Sequence, residues 1–249
     1  MPVRLNTQAQ ISDRRRGLRD CYICGTPLPS GPGWRKEVIN EHVIPRALLG
    51  EAPTDPADQW AVKLFVHSEC ERTHKHHRDH LMKVLQAHTK VPAEDWNEAD
   101  AAKLVREFRP QEYKNSAGLS LPTLSGNLDS LHAAVLWVRG MHAALYGHVL
   151  PNRLSIVAQF PVPSWSEAKG SPEKYADMRR RVLGYMRRAL AREELDELRA
   201  WGDGLIYQCT WLRGPATRGW LCVWILKLPG THEWSIEATG SDTPWHGCF

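Results

Sequence analysis

The sequence predicts an α+β fold: a small β-β-α unit near the N-terminus, then helices, then a C-terminal α+β unit with a small antiparallel sheet. Three observations carry this reading. Two ligand pairs, Cys21-x-x-Cys24 and His67-x-x-Cys70, bracket two short strand-like runs. A helical stripe follows the second pair, with Leu81, Val84, Leu85 and His88 on one face. Near the C-terminus, Leu205 to Leu212 and Gly219 to Leu228 read as the arms of a hairpin, and His232 to Ala238 as a third strand.

Composition narrows the class. The 249 residues suffice for one large domain or two small ones. Hydrophobic residues make up 42% and charged residues 24%, the balance of a soluble globular chain. A formal charge of +4 permits a nucleic-acid partner without requiring one. The run Leu221 to Leu228 has the length of a strand and is too short to span a bilayer. Met1 to Asp20 hold no apolar run and do not read as a secretory leader, so a cytoplasmic location and no membrane contact are expected. Three of the six cysteines lie in the ligand pairs; Cys209, Cys222 and Cys248 read as thiols in a reducing compartment.

Taken in order, residues 1–20 read as a flexible basic tail. Arg14, Arg15, Arg16 and Arg19 cluster just before the first ligand pair, either as a solvated run or as phosphate contacts. Residues 21–112 form the first expected domain. Gly25 and Pro27 suit a turn out of the first pair. Lys36 to Ile39 reads as a strand that delivers Glu41 and His42 at its end, and Pro45 stops it. Leu49 to Gln59, with Pro53 and Pro56, reads as a loop. Val62 to Val66 is the second strand, and a helix runs from Ser68 or Cys70 to about His88. Glu71, His74 and Lys75 share a face of that helix, so Glu71 and His74 can both reach a metal, while His76, His77 and His80 read as polar surface. Ala93 to Phe108 reads as a further helix, ended by Pro110.

Residues 113–249 form the second expected domain. Residues 110–127 read as a linker. A helix capped by Asn127 or Asp129 runs to Tyr146, with a stripe of Leu131, Val135, Val138, Met141 and Leu145, and Gly147 and Pro151 close it. Leu154 to Phe160 reads as a strand. Ser171-Pro172 opens a helical stretch that continues through Glu193 to Trp201, until Gly202 and Gly204. In the hairpin, with Arg213 to Arg218 as its loop, the expected pairs are Trp211 with Trp220, Cys209 with Cys222, and Tyr207 with Trp224.

The ligand pairs define the chemistry. Cys21, Cys24, His67 and Cys70 are a complete tetrahedral set for structural Zn²⁺, each pair offering two ligands from one tight turn. The dipeptide Glu41-His42 is left over between them. A neutral histidine suits the task of deprotonating water near pH 7, and carboxylates suit a hard divalent cation.

The blocks CYIC, GTPL, EHVIP and HSEC resemble the HNH endonucleases, also called ββα-metal or His-metal finger nucleases, over roughly a quarter of the chain. The resemblance implies a zinc-stapled nuclease unit that hydrolyses DNA phosphodiesters. It puts His42 at the general base. Glu41 falls at the acidic ligand of a catalytic Mg²⁺ or Mn²⁺, and Glu71 at the second ligand of that metal, where the family usually has Asn or His. Cys21, Cys24, His67 and Cys70 fall at the structural zinc, with His67 in place of the usual Cys. Val62, Lys63 and Leu64 stand where the family's middle Asn is expected. The implied partner is DNA, with a homodimer or protein partner possible through residues 113–249. The alternatives are a non-catalytic zinc-stapled DNA-binding module and a nuclease effector of a toxin or defence system.

Overall fold

The computed structural model describes residues 2–90, 108–114, 120–126, 128–150, 155–159, 195–213, 220–228 and 233–239. Among these the chain is a mixed α+β protein, as expected, with three helices, a six-stranded sheet and two separate hairpins.

The first twenty residues are not a flexible tail. Arg4–Leu5 is a short strand, β1, and Gln8–Gly17 is a helix, α1. Thr7 caps α1 in a reciprocal box: Gln10 N–H donates to Thr7 Oγ1 at 3.3 Å, and Thr7 N–H donates to Gln10 Oε1 at 3.1 Å. Arg14, Arg15 and Arg16 lie in its last turn, where cations complement the helix dipole. Leu5, Ile11 and Leu18 are buried, and this anchors the segment. An arginine-rich run hides those three apolar positions from a reading based on charge.

Val38–His42 (β2) and Lys63–His67 (β3) pair antiparallel, with Glu41 opposite Leu64 and His42 opposite Lys63. Ser68–Lys90 (α2) leaves β3 directly, so the β-β-α order expected from the sequence is present. Phe108–Lys114 (β4) and Ser120–Gly126 (β5) form an antiparallel hairpin where a linker was expected. Proline at 110 and 122 suggests a linker, yet in a two-stranded ribbon each strand is an edge and tolerates it. The expected helix Ala93 to Phe108 lies almost wholly outside the described residues.

Leu128–Tyr146 (α3) matches its expected helix, and Gly147, at φ 78°, closes it by donating to the Ala143 carbonyl at 2.9 Å. Its burial is broader than a stripe. Ala133, Ala134, Trp137, Val138, Met141, Ala144 and Leu145 are all buried, which makes α3 a central helix. It touches α1, α2, β5, Ser155–Gln159 (β6) and Asp196–Ala200 (β7).

The large sheet has the order β1-β7-β8-β9-β10-β6, where β8 is Leu205–Arg213, β9 is Trp220–Lys227 and β10 is Glu233–Thr239. Among the described strands of this sheet only the β1–β7 pair is parallel. β7 replaces the end of the helix expected through Trp201. Pairing on both sides overrides the helical propensity of Glu, Leu, Arg and Ala, and burial alternates, with Leu198 and Ala200 inside. Glu197 and Arg199 meet at 2.5 Å between these positions. The earlier part of that expected helix lies outside the described residues. The β8–β9 register also differs. Trp211 stands opposite Cys222, Cys209 opposite Trp224 and Tyr207 opposite Leu226, a two-residue displacement from the expected pairs. Cross-strand aromatic pairing alone favours the expected register; the observed one keeps its parity and lengthens β8 to Arg213.

One core crosses the boundary expected at residue 112. It joins Leu5 and Ile11 to Val43 and Leu64, to Trp137 and Met141, and to Leu198, Tyr207 and Trp224. No helix among the described residues is long and apolar enough to cross a membrane.

Candidate metal centre and the cavity at His42

The four ligands predicted for zinc converge. The possible ligand atoms of Cys21, Cys24, His67 and Cys70 all lie within 4.8 Å of one another. The first pair sits in a turn in which Gly25 N–H donates to the Cys21 carbonyl at 2.7 Å, and Gly25 adopts φ 75°, open chiefly to glycine. Cys21 N–H donates to the Thr26 carbonyl at 2.9 Å, which closes the turn. His67 ends β3 and Cys70 lies in the first turn of α2, so the strand-to-helix junction supplies the second pair.

The histidine is oriented for ligation. His67 Nδ1 lies 3.4 Å from Cys24 Sγ and 3.8 Å from Cys70 Sγ, while Nε2 lies 3.1 Å from the Pro27 carbonyl. A ring that donates Nε2–H to a carbonyl presents Nδ1 as the free electron pair, the arrangement that fixes metal-bound imidazoles. Burial raises the Cys21 thiol. Burial and the neighbouring Cys21 and Cys24 push Cys70 up to about 12. At Cys24 burial also acts upward, but hydrogen bonds from Thr26, Cys70 and His67 outweigh it and bring the thiol down to about 6. Three thiolates this close need a cation, and a dication supplies it. The set fits Zn²⁺ in number, type and spacing.

Helix α3 buttresses this centre. Arg139, buried, donates from Nε to the Tyr22 carbonyl at 2.9 Å. Gly140 lets the helix approach closely: a Cβ there would lie 2.5 Å from Val43 Cγ1 and 3.1 Å from Tyr22 Cε2.

No protein-family model matches this chain, and no curated protein or solved structure gives a match.

Glu41 and Glu71 are brought together, but by a guanidinium. Arg78 donates from Nη1 to Glu41 Oε1 at 3.0 Å and from Nη2 to Glu71 Oε1 at 2.9 Å. The Arg78 side chain is 5% exposed, and the two carboxylates 26% and 20%. Burial raises the Glu41 carboxyl; Arg78 acts against that and Glu71 with it. In this arrangement the acid pair does not fit a divalent ion, because the cation between the carboxylates is Arg78. Sequence reasoning missed Arg78. The signal was present, since Arg78 lies seven residues, or two helical turns, after Glu71.

His42 is elsewhere. Its side chain faces a cavity of about 260 Å³ on the other side of β2, with Arg15 from α1, Arg46, Lys63 and Gln59 around it and Trp60 and Trp201 in its wall. Burial, with the nearby charges of Lys63 and Arg46, lowers the His42 pKa and so favours the neutral ring. The Arg15 guanidinium lies 4.0 Å over the Phe65 ring, and that of Arg46 5.6 Å from the Trp201 ring. Both are parked on aromatic faces at the cavity. Of the basic cluster before the first ligand pair, Arg15 is the member that lines the same cavity as His42.

Proposed function

We propose that this chain is a DNA endonuclease of the HNH type, stapled by zinc at Cys21, Cys24, His67 and Cys70, with His42 as its general base. One observation carries the proposal: an imidazole and three cationic side chains line one cavity with room for a phosphodiester. Arg15, Arg46 and Lys63 would hold the phosphodiester and offset its charge. Water admitted beside His42 would lose its proton to the imidazole as it attacks phosphorus. The Mg²⁺ or Mn²⁺ implied by the resemblance does not fit between Glu41 and Glu71 while Arg78 bridges them. The zinc holds β3, α2 and the first turn together, which fixes the strand that carries His42.

A second reading is a non-catalytic DNA-binding module. The Arg78 bridge favours it, because a closed acid pair is a structural device rather than a metal site.

Plasmid DNA incubated with the protein, with and without added Mg²⁺ or Mn²⁺, decides between them. The nuclease reading expects nicked or linear product and a loss of at least about 100-fold in His42→Ala. It expects binding to DNA to be retained in that variant. DNA binding without cleavage under every ion condition selects the second reading, and full cleavage by His42→Ala removes the assigned base.

A further inference from the structure

We propose that His74, His77 and His132 form a second metal site, separate from the thiolate centre, that takes a transition-metal dication such as Zn²⁺, Ni²⁺, Co²⁺ or Cu²⁺.

The geometry comes from two helices. His74 and His77 are three residues apart on α2 and so share a face. His132 comes from the start of α3, more than fifty positions further along the chain. One ring nitrogen of each lies within 4.8 Å of the other two. His132 Nε2 is 2.9 Å from His74 Nδ1. The three rings face one another, with centroids 4.7 Å apart for His74 and His132, 4.6 Å for His77 and His132, and 5.8 Å for His74 and His77. Two nitrogens on one tetrahedral zinc, each about 2.05 Å from it, stand about 3.3 Å apart. Side-chain shifts of well under an ångström would therefore bring the His74 and His132 nitrogens to ligand spacing.

The donor set selects the ion. Three imidazoles without a carboxylate suit borderline metals, whereas Mg²⁺ and Ca²⁺ require oxygen ligands. All three residues are half-buried, so solvent can reach the cluster and complete the coordination. A three-histidine site with an open position can carry water or an anionic ligand. The metal would also tie α2, which carries Glu71 and Arg78, to the central helix α3.

This inference is independent of the nuclease reading. Protein whose thiolate centre is filled with zinc is titrated with Co²⁺ or Cu²⁺, followed by visible absorption and, for copper, by nitrogen hyperfine structure in the electron paramagnetic resonance spectrum. The wild type should take up one further equivalent with imidazole nitrogen ligands. His132→Gln and His77→Gln, on different helices, should each weaken that uptake by at least about tenfold while the thiolate-bound zinc stays in place. The proposal is overturned if the wild type takes up no second equivalent, or if either His132→Gln or His77→Gln binds as the wild type.

Discussion

Glu41 and His42 are adjacent in sequence and face opposite sides of β2. Glu41 pairs with buried Leu64 and turns to Arg78 on α2; His42 pairs with exposed Lys63 and turns to the cavity beneath α1. Period-two alternation compels this, because the strand stays regular through His42. An acid and a base on one strand therefore serve two environments. One is a closed ion-pair network and the other an open cationic cavity.

The ion-pair network can be tested by removing its centre. Among the described residues Arg78 is the cation bound to both carboxylates, and its loss removes that shared partner from two half-buried charges. Arg78→Ala should destabilise the fold by about 3 kcal/mol, measured by urea denaturation. The vacated space should then accept Mg²⁺, which should raise the variant's unfolding midpoint and leave that of the wild type unchanged. An Arg78→Ala protein as stable as the wild type would show that the bridge contributes nothing.

The close approach of α3 to the zinc turn rests on one missing methyl. In most helices Gly→Ala gains about 1 kcal/mol. At Gly140 the new Cβ would lie 2.5 Å from Val43, inside the core, so Gly140→Ala should instead cost about 1–3 kcal/mol. Thermal melts of the two proteins give the sign directly. A gain in stability would mean that α3 can move away freely.

How much of this was legible in the sequence depended on distance along the chain. The β-β-α order and the Cys21, Cys24, His67, Cys70 set follow from local spacing, and the structure brings those four together. Arg78 lay within reach of helical arithmetic from Glu71. The placement of α1 over His42 did not, since Ile11 and Leu18 gain meaning only against residues far away. His132 was invisible for the same reason: it joins His74 only through the packing of α3 on α2. At β7, pairing with β1 and β8 overrides a helix-forming composition, and no local signal announces that.

The cavity at His42 makes a prediction about salt. If Arg15 holds a phosphate there, Arg15→Gln should weaken DNA binding and lower the slope of log affinity against log salt by about one. His42→Ala should leave the slope almost unchanged, since a neutral ring releases no counterion. Fluorescence anisotropy over a salt series separates the two. Equal slopes for Arg15→Gln and the wild type would place the phosphate elsewhere.

Stability should fall in mild acid because of His142. This residue is fully buried on α3, next to Arg139 and with the His148 and Tyr146 rings 5.3 Å and 4.5 Å away. Burial, then His148 and Arg139, lowers its pKa well below the ordinary value. The unfolded chain takes up that proton near pH ~6.5 and the folded chain does not, so the unfolded state binds more protons below that pH. Stability is then full above about pH 6.5 and is lost progressively as pH falls toward the folded pKa. The zinc ligands add their own acid sensitivity, so the measurement is a difference. Between pH 7.5 and 5, the urea midpoint of His142→Leu should fall less than that of the wild type. Parallel pH profiles would exclude His142 as a source of the loss.

Zinc removal tests how far the thiolate centre supports the rest of the molecule. Its ligands come from the turn at Cys21 and Cys24, the end of β3 and the start of α2, so the metal would join three elements. Cys21, Tyr22 and Ile23 are buried in the same core as α3, and Arg139 reaches across to the Tyr22 carbonyl. Loss of the metal should therefore loosen α3 as well as the turn. Each ligand substitution leaves three donors, too few for a closed structural site. Cys24→Ser and Cys70→Ser should both lose the tightly held zinc by elemental analysis and melt well below the wild type. The near-ultraviolet circular dichroism of Trp137, buried on α3, should flatten in the same variants. If chelated protein, free of zinc, kept its melting temperature and its near-ultraviolet spectrum, the four residues would be neighbours without a metal to hold, and the staple would have no structural role.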